Sequence, residues 1–200
     1  MISDIELCDL AAQAYGPCTI DTGSIHVLLT DYKGAKVISF RGTNSPRDWL
    51  QDFVKIPFTH EHLGSIHAGF LTAVKSVWAK IPSEGPIVIT GHSKGGAEAH
   101  ILAGMFSAGG RQVTKLTTFG SPRSCFLAGS GLAAFLKNIP GADYCNADDP
   151  VPRVPFGWFH PRPLTQIGRR FQDLDIIEDH YLAAYRAVLE QLEVPLEPSF

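Results

Sequence analysis

The chain has 200 residues, of which 44% are hydrophobic and 18% charged, with a formal net charge of -3. That length suits one domain, residues 1–200, able to bury a core of its own, and the composition excludes a disordered or collagen-like polypeptide. A slightly negative chain whose basic residues are scattered, apart from Arg169-Arg170, has no long-range pull on nucleic acid, which is excluded as a partner.

The first residues, MISDIELCDLAAQAYG, place Asp4, Glu6 and Asp9 where a secretory signal would carry lysine or arginine before an apolar run. No stretch reaches the roughly 18 apolar residues of a transmembrane segment, so a cytoplasmic setting is expected. The same segment predicts a short amphipathic helix from about Asp4 to Ala14, ended at Gly16-Pro17. Cys8, Cys18, Cys125 and Cys145 contain no C-x-x-C pair. They read as mostly reduced structural thiols, the Cys8–Cys18 spacing leaving one bridge open.

Two strand-like runs follow, Ile25 to Tyr32 and Ala35 to Phe40, joined at Lys33-Gly34 as a hairpin. After an irregular stretch rich in histidine and proline, Phe70, Val74, Val77, Trp78 and Ile81 recur at helical spacing between Gly69 and Ile81. Then come a strand at Ile87 to Thr90, a helix at Gly95 to Gly109, a strand at Lys115 to Gly120, a helix near Gly131 to Asn138 and a strand at Ala142 to Ala147. Strand–helix alternation predicts an α/β fold: a mostly parallel central sheet flanked by helices and begun by an antiparallel hairpin. Five prolines between Pro150 and Pro163 predict a long surface loop, and a last helix is expected from about Asp179 or His180 to Leu192.

The segment GHSKGG, Gly91 to Gly96, fits G-x-S-x-G with a predicted strand before it and a helix after it. Such a turn brings strand and helix backbones close, which calls for Gly91 and Gly95, and it lifts the Ser93 hydroxyl above the sheet end. The helix N-terminus then faces any developing oxyanion. A serine hydroxyl is a poor nucleophile at neutral pH, so a base must take its proton and a carboxylate must hold that base. In this chain order the base follows the serine, which leaves His160 and His180. His180, just before the last helix, is favoured over His160 in the proline-rich loop. For the carboxylate, Asp148 and Asp149 stand just beyond a strand end. Side chains alternate on an extended segment, so only one of the two can face the histidine, and the residues alone leave that choice open. The eight histidines include no H-E-x-x-H helix, so neither a metal nor an organic cofactor is expected.

Beyond the elbow, FRGTNSPRDWLQDF (Phe40 to Phe53), HAGF (His67 to Phe70), TFGSPR (Thr118 to Arg123), DDPVPRVP (Asp148 to Pro155) and the closing Asp179-His180 stand in one order along the chain. Together they resemble the class 3, fungal-type lipases of the α/β-hydrolase superfamily. The resemblance implies Ser93 as nucleophile, His180 as general base and then acid, and Asp149 as its orienting carboxylate. It further implies oxyanion stabilisation by Thr43 and by the backbone N–H of Lys94, with Asp52 holding the Thr43 hydroxyl, and a noncatalytic role for His160.

The activity so implied is hydrolysis of carboxylic esters, lipid or short acyl, through an acyl-enzyme. A phospholipase or acyltransferase with the same three residues is the alternative, and a hydrolase-fold binding protein without turnover a further one. Asn44 to Gln51 is the place for a small lid and for transient contact with a lipid surface, although Trp49 and Leu50 suit core packing equally. Lys94 stands where the family more often has leucine, and its ammonium would bias the site mouth toward anionic substrates. Nothing in these patterns fixes an oligomeric state.

Overall fold

The computed structural model describes residues 1–43, 56–82, 84–170 and 176–193. Helix α1 (Asp4–Gln13) starts at a capping box: the Ser3 hydroxyl accepts from the Glu6 N–H at 3.2 Å, and the Glu6 carboxylate accepts from the Ser3 N–H at 2.9 Å. A short β1 (Ile20–Asp21) leads to β2 (His26–Tyr32) and β3 (Ala35–Phe40), paired as the expected antiparallel hairpin. Its two turn residues, Lys33 and Gly34, both have positive φ (47° and 78°), the geometry that matches strand twist.

The stretch between β3 and the next helix is less irregular than its sequence suggests. It contains a second hairpin, β4 (Pro57–His60) with β5 (Gly64–His67), which continues through bridges from Ile66 to Cys125 and from Cys125 to Phe159. Helix α2 (Ala68–Val77) tightens into a 3₁₀ turn at Trp78–Lys80. Then follow β6 (Ile87–His92), α3 (Lys94–Ala108), β7 (Val113–Phe119), α4 (Gly131–Leu136) and β8 (Asp143–Asn146). The proline-rich loop holds a 3₁₀ turn at Val151–Arg153 and ends in a strand absent from the expectation, β9 (Leu164–Ile167). A 3₁₀ turn at Glu178–His180 introduces α5 (Leu182–Glu193).

The main sheet runs β1-β2-β3-β6-β7-β8-β9, and every pair from β3 to β9 is parallel. Alternate residues feed opposite faces. Val37 and Val88 pack with Leu7, Leu10 and Ala11 of α1 and with Tyr185 and Leu189 of α5, whereas Ile38, Ile87 and Ile89 pack toward α2, α3 and α4. All parallel strands therefore end at one edge, where ligands of open α/β sheets bind.

All four cysteines are free thiols, so the bridge left open between Cys8 and Cys18 is not formed; the Cys18 thiol points at the Ala14 carbonyl, 3.0 Å away. Among the described residues no helix is long and apolar enough to cross a membrane. The lid expected at Asn44 to Gln51, and Asp52, lie outside the described residues.

Candidate active site

Strand β6 ends at His92 and α3 begins at Lys94, so Ser93 alone makes the turn, with φ 56° and ψ -131°. For a non-glycine residue that conformation costs about 1–3 kcal/mol and persists only where the surroundings enforce it. Here they do. A Cβ on Gly91 would collide with the Gly95 carbonyl and one on Gly95 with the Phe40 carbonyl, so the turn needs both glycines. The Ser93 N–H donates to the Phe119 carbonyl at 2.9 Å, which ties the elbow to the end of β7.

His180 arrives from the far side on the 3₁₀ turn before α5 and is fully buried. Its Nδ1 lies 2.8 Å from Asp149 Oδ2. An Nδ1–H donated to the carboxylate leaves a lone pair on Nε2, and Nε2 has no partner among the described residues; neither does Ser93 Oγ, nor Thr43 Oγ1. A buried polar atom left without a partner costs about 1–3 kcal/mol, and such a cost is tolerated where a reacting group must be met. Gly42 brings the Thr43 segment against the elbow: a Cβ there would lie 2.7 Å from both the His92 carbonyl and Ser93 Cβ.

The adjacent aspartates divide in the turn that follows β8, where Ala147 has a φ of 39°. Asp148 turns outward to Arg170 and Arg153, at 3.0 and 3.3 Å, while fully buried Asp149 turns inward. Asp149 Oδ1 accepts from the Val151 N–H at 2.9 Å. Gly120, the glycine of TFGSPR, lies against this pair: its φ is 62°, and a Cβ would stand 2.8 Å from Asp149 Oδ2 and 2.9 Å from His180 Nδ1.

Three partners of this centre carry no sequence signal of their own. Tyr185, which reads as one more apolar position of the last helix, donates to Asp149 Oδ2 at 2.6 Å. Tyr15, at the end of the α1 segment, bonds His92 Nδ1 at 2.6 Å, and His92 Nε2 lies 2.7 Å from the His180 carbonyl oxygen. Burial and the neighbouring His180 ring hold the His92 imidazole well below the usual histidine range, so it is neutral. A neutral ring accepting at Nδ1 and donating at Nε2 fixes the backbone of His180. The third is a buried network in which Asp143 receives His100 Nε2 at 2.9 Å and the Thr118 hydroxyl at 2.9 Å, joining α3, β7 and β8.

His160 is placed away from this chemistry, its Nε2 at 2.6 Å from the Pro152 carbonyl. Lys94 departs from its expected role: the ammonium turns to Glu98 Oε1 at 2.8 Å and to the Ser24 carbonyl at 2.6 Å, so it does not offer a free charge at the site mouth.

Residues 37–158 match the family model described as lipase (class 3). The secreted mono- and diacylglycerol lipase 1 of Fusarium solani is 35% identical over 144 residues, 64% of this chain and 42% of that protein. The secreted mono- and diacylglycerol lipase A of Penicillium cyclopium is 27% identical over 172 residues, 74% of this chain and 53% of that protein. The chain thus spans about half the length of the curated relatives it matches. Among solved structures, the lipase of Rhizopus microsporus var. chinensis superposes with a TM-score of 0.67 at 22% identity, over 84% of this chain and 74% of that one, a likeness of fold. The cytoplasmic expectation is corrected by these relatives, both named as secreted. Its basis was the acidic start of the sequence, but those residues form the capped, packed helix α1, whose composition answers to the fold and carries no information on export. A family match over more than half the chain, with the elbow inside it and the buried His180–Asp149 pair closing over it, places the chain in the class 3 lipase family.

Proposed function

We propose that this chain is a serine carboxylic ester hydrolase that cleaves acyl esters of the mono- and diacylglycerol kind. The observation that carries the reading is the line of groups from Asp149 through His180 to Nε2, which like Ser93 Oγ on its strained elbow has no partner among the described residues. Ser93 Oγ bonds to the ester carbonyl carbon as its proton passes to His180 Nε2. The oxyanion is met by the backbone N–H groups of Thr43 and Lys94 and by the Thr43 hydroxyl. Collapse breaks the ester C–O bond, and His180 returns the proton to the leaving alcohol. Water then attacks the acyl-serine, giving its proton to His180, and Ser93 recovers a proton as the acid departs.

A lipid–water interface is the matching partner. Four large apolar side chains that are exposed, Phe126, Leu127, Phe156 and Phe159, stand on the connections that follow β7 and β8, which meet at the Cys125–Phe159 bridge. That apolar cluster supports docking on lipid. The phospholipase alternative loses its argument from charge, because Glu98 takes the Lys94 ammonium.

The test is the initial rate on a chromogenic butyrate ester raised through its solubility limit, with Ser93→Ala as blank. A Ser93-dependent rate that climbs steeply when the interface forms supports a lipase. Saturation below that limit makes it an esterase, and no Ser93-dependent rate on any acyl ester overturns the reading.

A further inference from the structure

The second turn of α3 holds a carboxylate that the reaction above does not use. Glu98 is fully buried, and one of its oxygens, Oε2, has no partner among the described residues. The other accepts from the Lys94 ammonium at 2.8 Å, one helical turn back. Lys94 is also anchored at 2.6 Å to the Ser24 carbonyl, in the loop between β1 and β2. The Lys94 ammonium is therefore held by two partners, and the backbone N–H of the same residue is the first donor after Ser93.

We propose that Glu98 is a positioning residue for ester hydrolysis: ionised, it grips Lys94 and so aims the Lys94 N–H at the oxyanion, and on taking up a proton it lets that donor drift. The inference rests on the reading of this chain as an ester hydrolase. It explains why a carboxylate is kept at a fully buried helix position, where an apolar side chain would be more stable. Burial pushes the Glu98 carboxyl up to about 7, against the pull of Lys94. The sign is clear. Folded Glu98 holds its proton to higher pH than unfolded Glu98, so folding stability falls as pH rises through that window while the grip on Lys94 strengthens. Other charged groups on the packed elements turn elsewhere: Arg41 beyond β3 acts on Asp21 and Cys18, Lys75 of α2 lies over Phe58, and His100 of α3 faces Asp143.

The experiment is kcat and KM on the butyrate ester from pH 5.5 to 9 for the wild type and Glu98→Gln, with melting temperatures at pH 8. An oxyanion contact exists only in the transition state, so the loss belongs in kcat. Expected are an approximately tenfold lower kcat at pH 8, an unchanged KM, the disappearance of one ionisation from the acid limb, and a melting temperature equal to or above the wild type. A wild-type kcat and profile in Glu98→Gln would overturn the proposal. So would a lower kcat that tracks a lower melting temperature and is restored in the apolar pair Lys94→Met/Glu98→Leu, since the pair would then be packing alone. Absence of Ser93-dependent turnover in the wild type would overturn the ester hydrolase reading together with this one, whereas turnover with an unaltered Glu98→Gln profile overturns this one only.

Discussion

Tyr185 and His180 converge on a single oxygen: both donate to Asp149 Oδ2, the phenol at 2.6 Å and the imidazole at 2.8 Å. Helix α5 thus supplies a second donor to the carboxylate five residues after the histidine it holds. A hydrogen bond to a charged group contributes about 1.5–3 kcal/mol, and 1.4 kcal/mol is a factor of ten.

Tyr185→Phe should therefore lower kcat about tenfold while the fold persists, since the ring still fills the α5 face of the core. Steady-state kinetics on the butyrate ester check the effect, and a circular dichroism melt separates it from unfolding.

Gly120 offers a sharper contrast. Gly120→Ala adds a methyl group against Asp149 Oδ2 and His180 Nδ1 at a φ of 62°, so it should cost at least a hundredfold in kcat. Gly110→Ala has the same backbone problem, φ 74°, with nothing within 4 Å of the added carbon. It should cost about 1 kcal/mol of stability and leave turnover intact. Equal losses of activity in the two variants would contradict the close packing at Gly120.

How much of this was legible follows from which signals are local. The elbow could be read because strand, tight turn and helix are contiguous, and because Gly91 answers a steric demand from Gly95, four residues on. The choice of Asp149 over Asp148 could not be made from alternation alone, which says only that the two diverge; the family resemblance made it. Strand β9 escaped because two of its four residues face solvent and a proline precedes it. Tyr15 and Tyr185 escaped for a different reason. Tyr185 lies in a helical apolar pattern that its ring satisfies and Tyr15 in the turn after α1, while each hydroxyl serves a partner distant in sequence, 77 residues away for Tyr15 and 36 for Tyr185. The Lys94–Glu98 pair has the spacing of an ordinary surface ion pair, and only the fold reveals that Glu98 is buried.

The exposed apolar cluster makes a prediction separate from the chemistry. Phe156 is 75% exposed and Leu127 57%. Phe156→Ser with Leu127→Ser should leave the rate on dissolved ester unchanged and reduce, about tenfold, the extra rate that appears with an emulsion. Vesicle flotation of the inactive Ser93→Ala chain checks the docking without turnover. Equal flotation with and without the two serine substitutions would place the lipid contact elsewhere.

His160 and Glu98 should pull acid stability in opposite directions. Burial pushes the His160 imidazole down to about 4, with the Pro152 carbonyl opposing the shift. Between the unfolded value near 6.5 and that folded value, the unfolded chain takes up a proton that the folded chain refuses. Stability due to His160 is therefore complete above about pH 6.5 and lost as pH falls through 4, on the order of 3 kcal/mol for a shift of that size. Glu98, raised from 4.5 to about 7, does the reverse, gaining stability as pH falls over nearly the same range. The wild type should show little net change there because the two terms offset, so the single variants are what reveal them. In urea titrations from pH 7 to 4, His160→Gln should remove the loss and gain relative to the wild type as pH falls. Glu98→Gln should do the opposite, and parallel curves for both variants would show that neither group titrates as its burial requires.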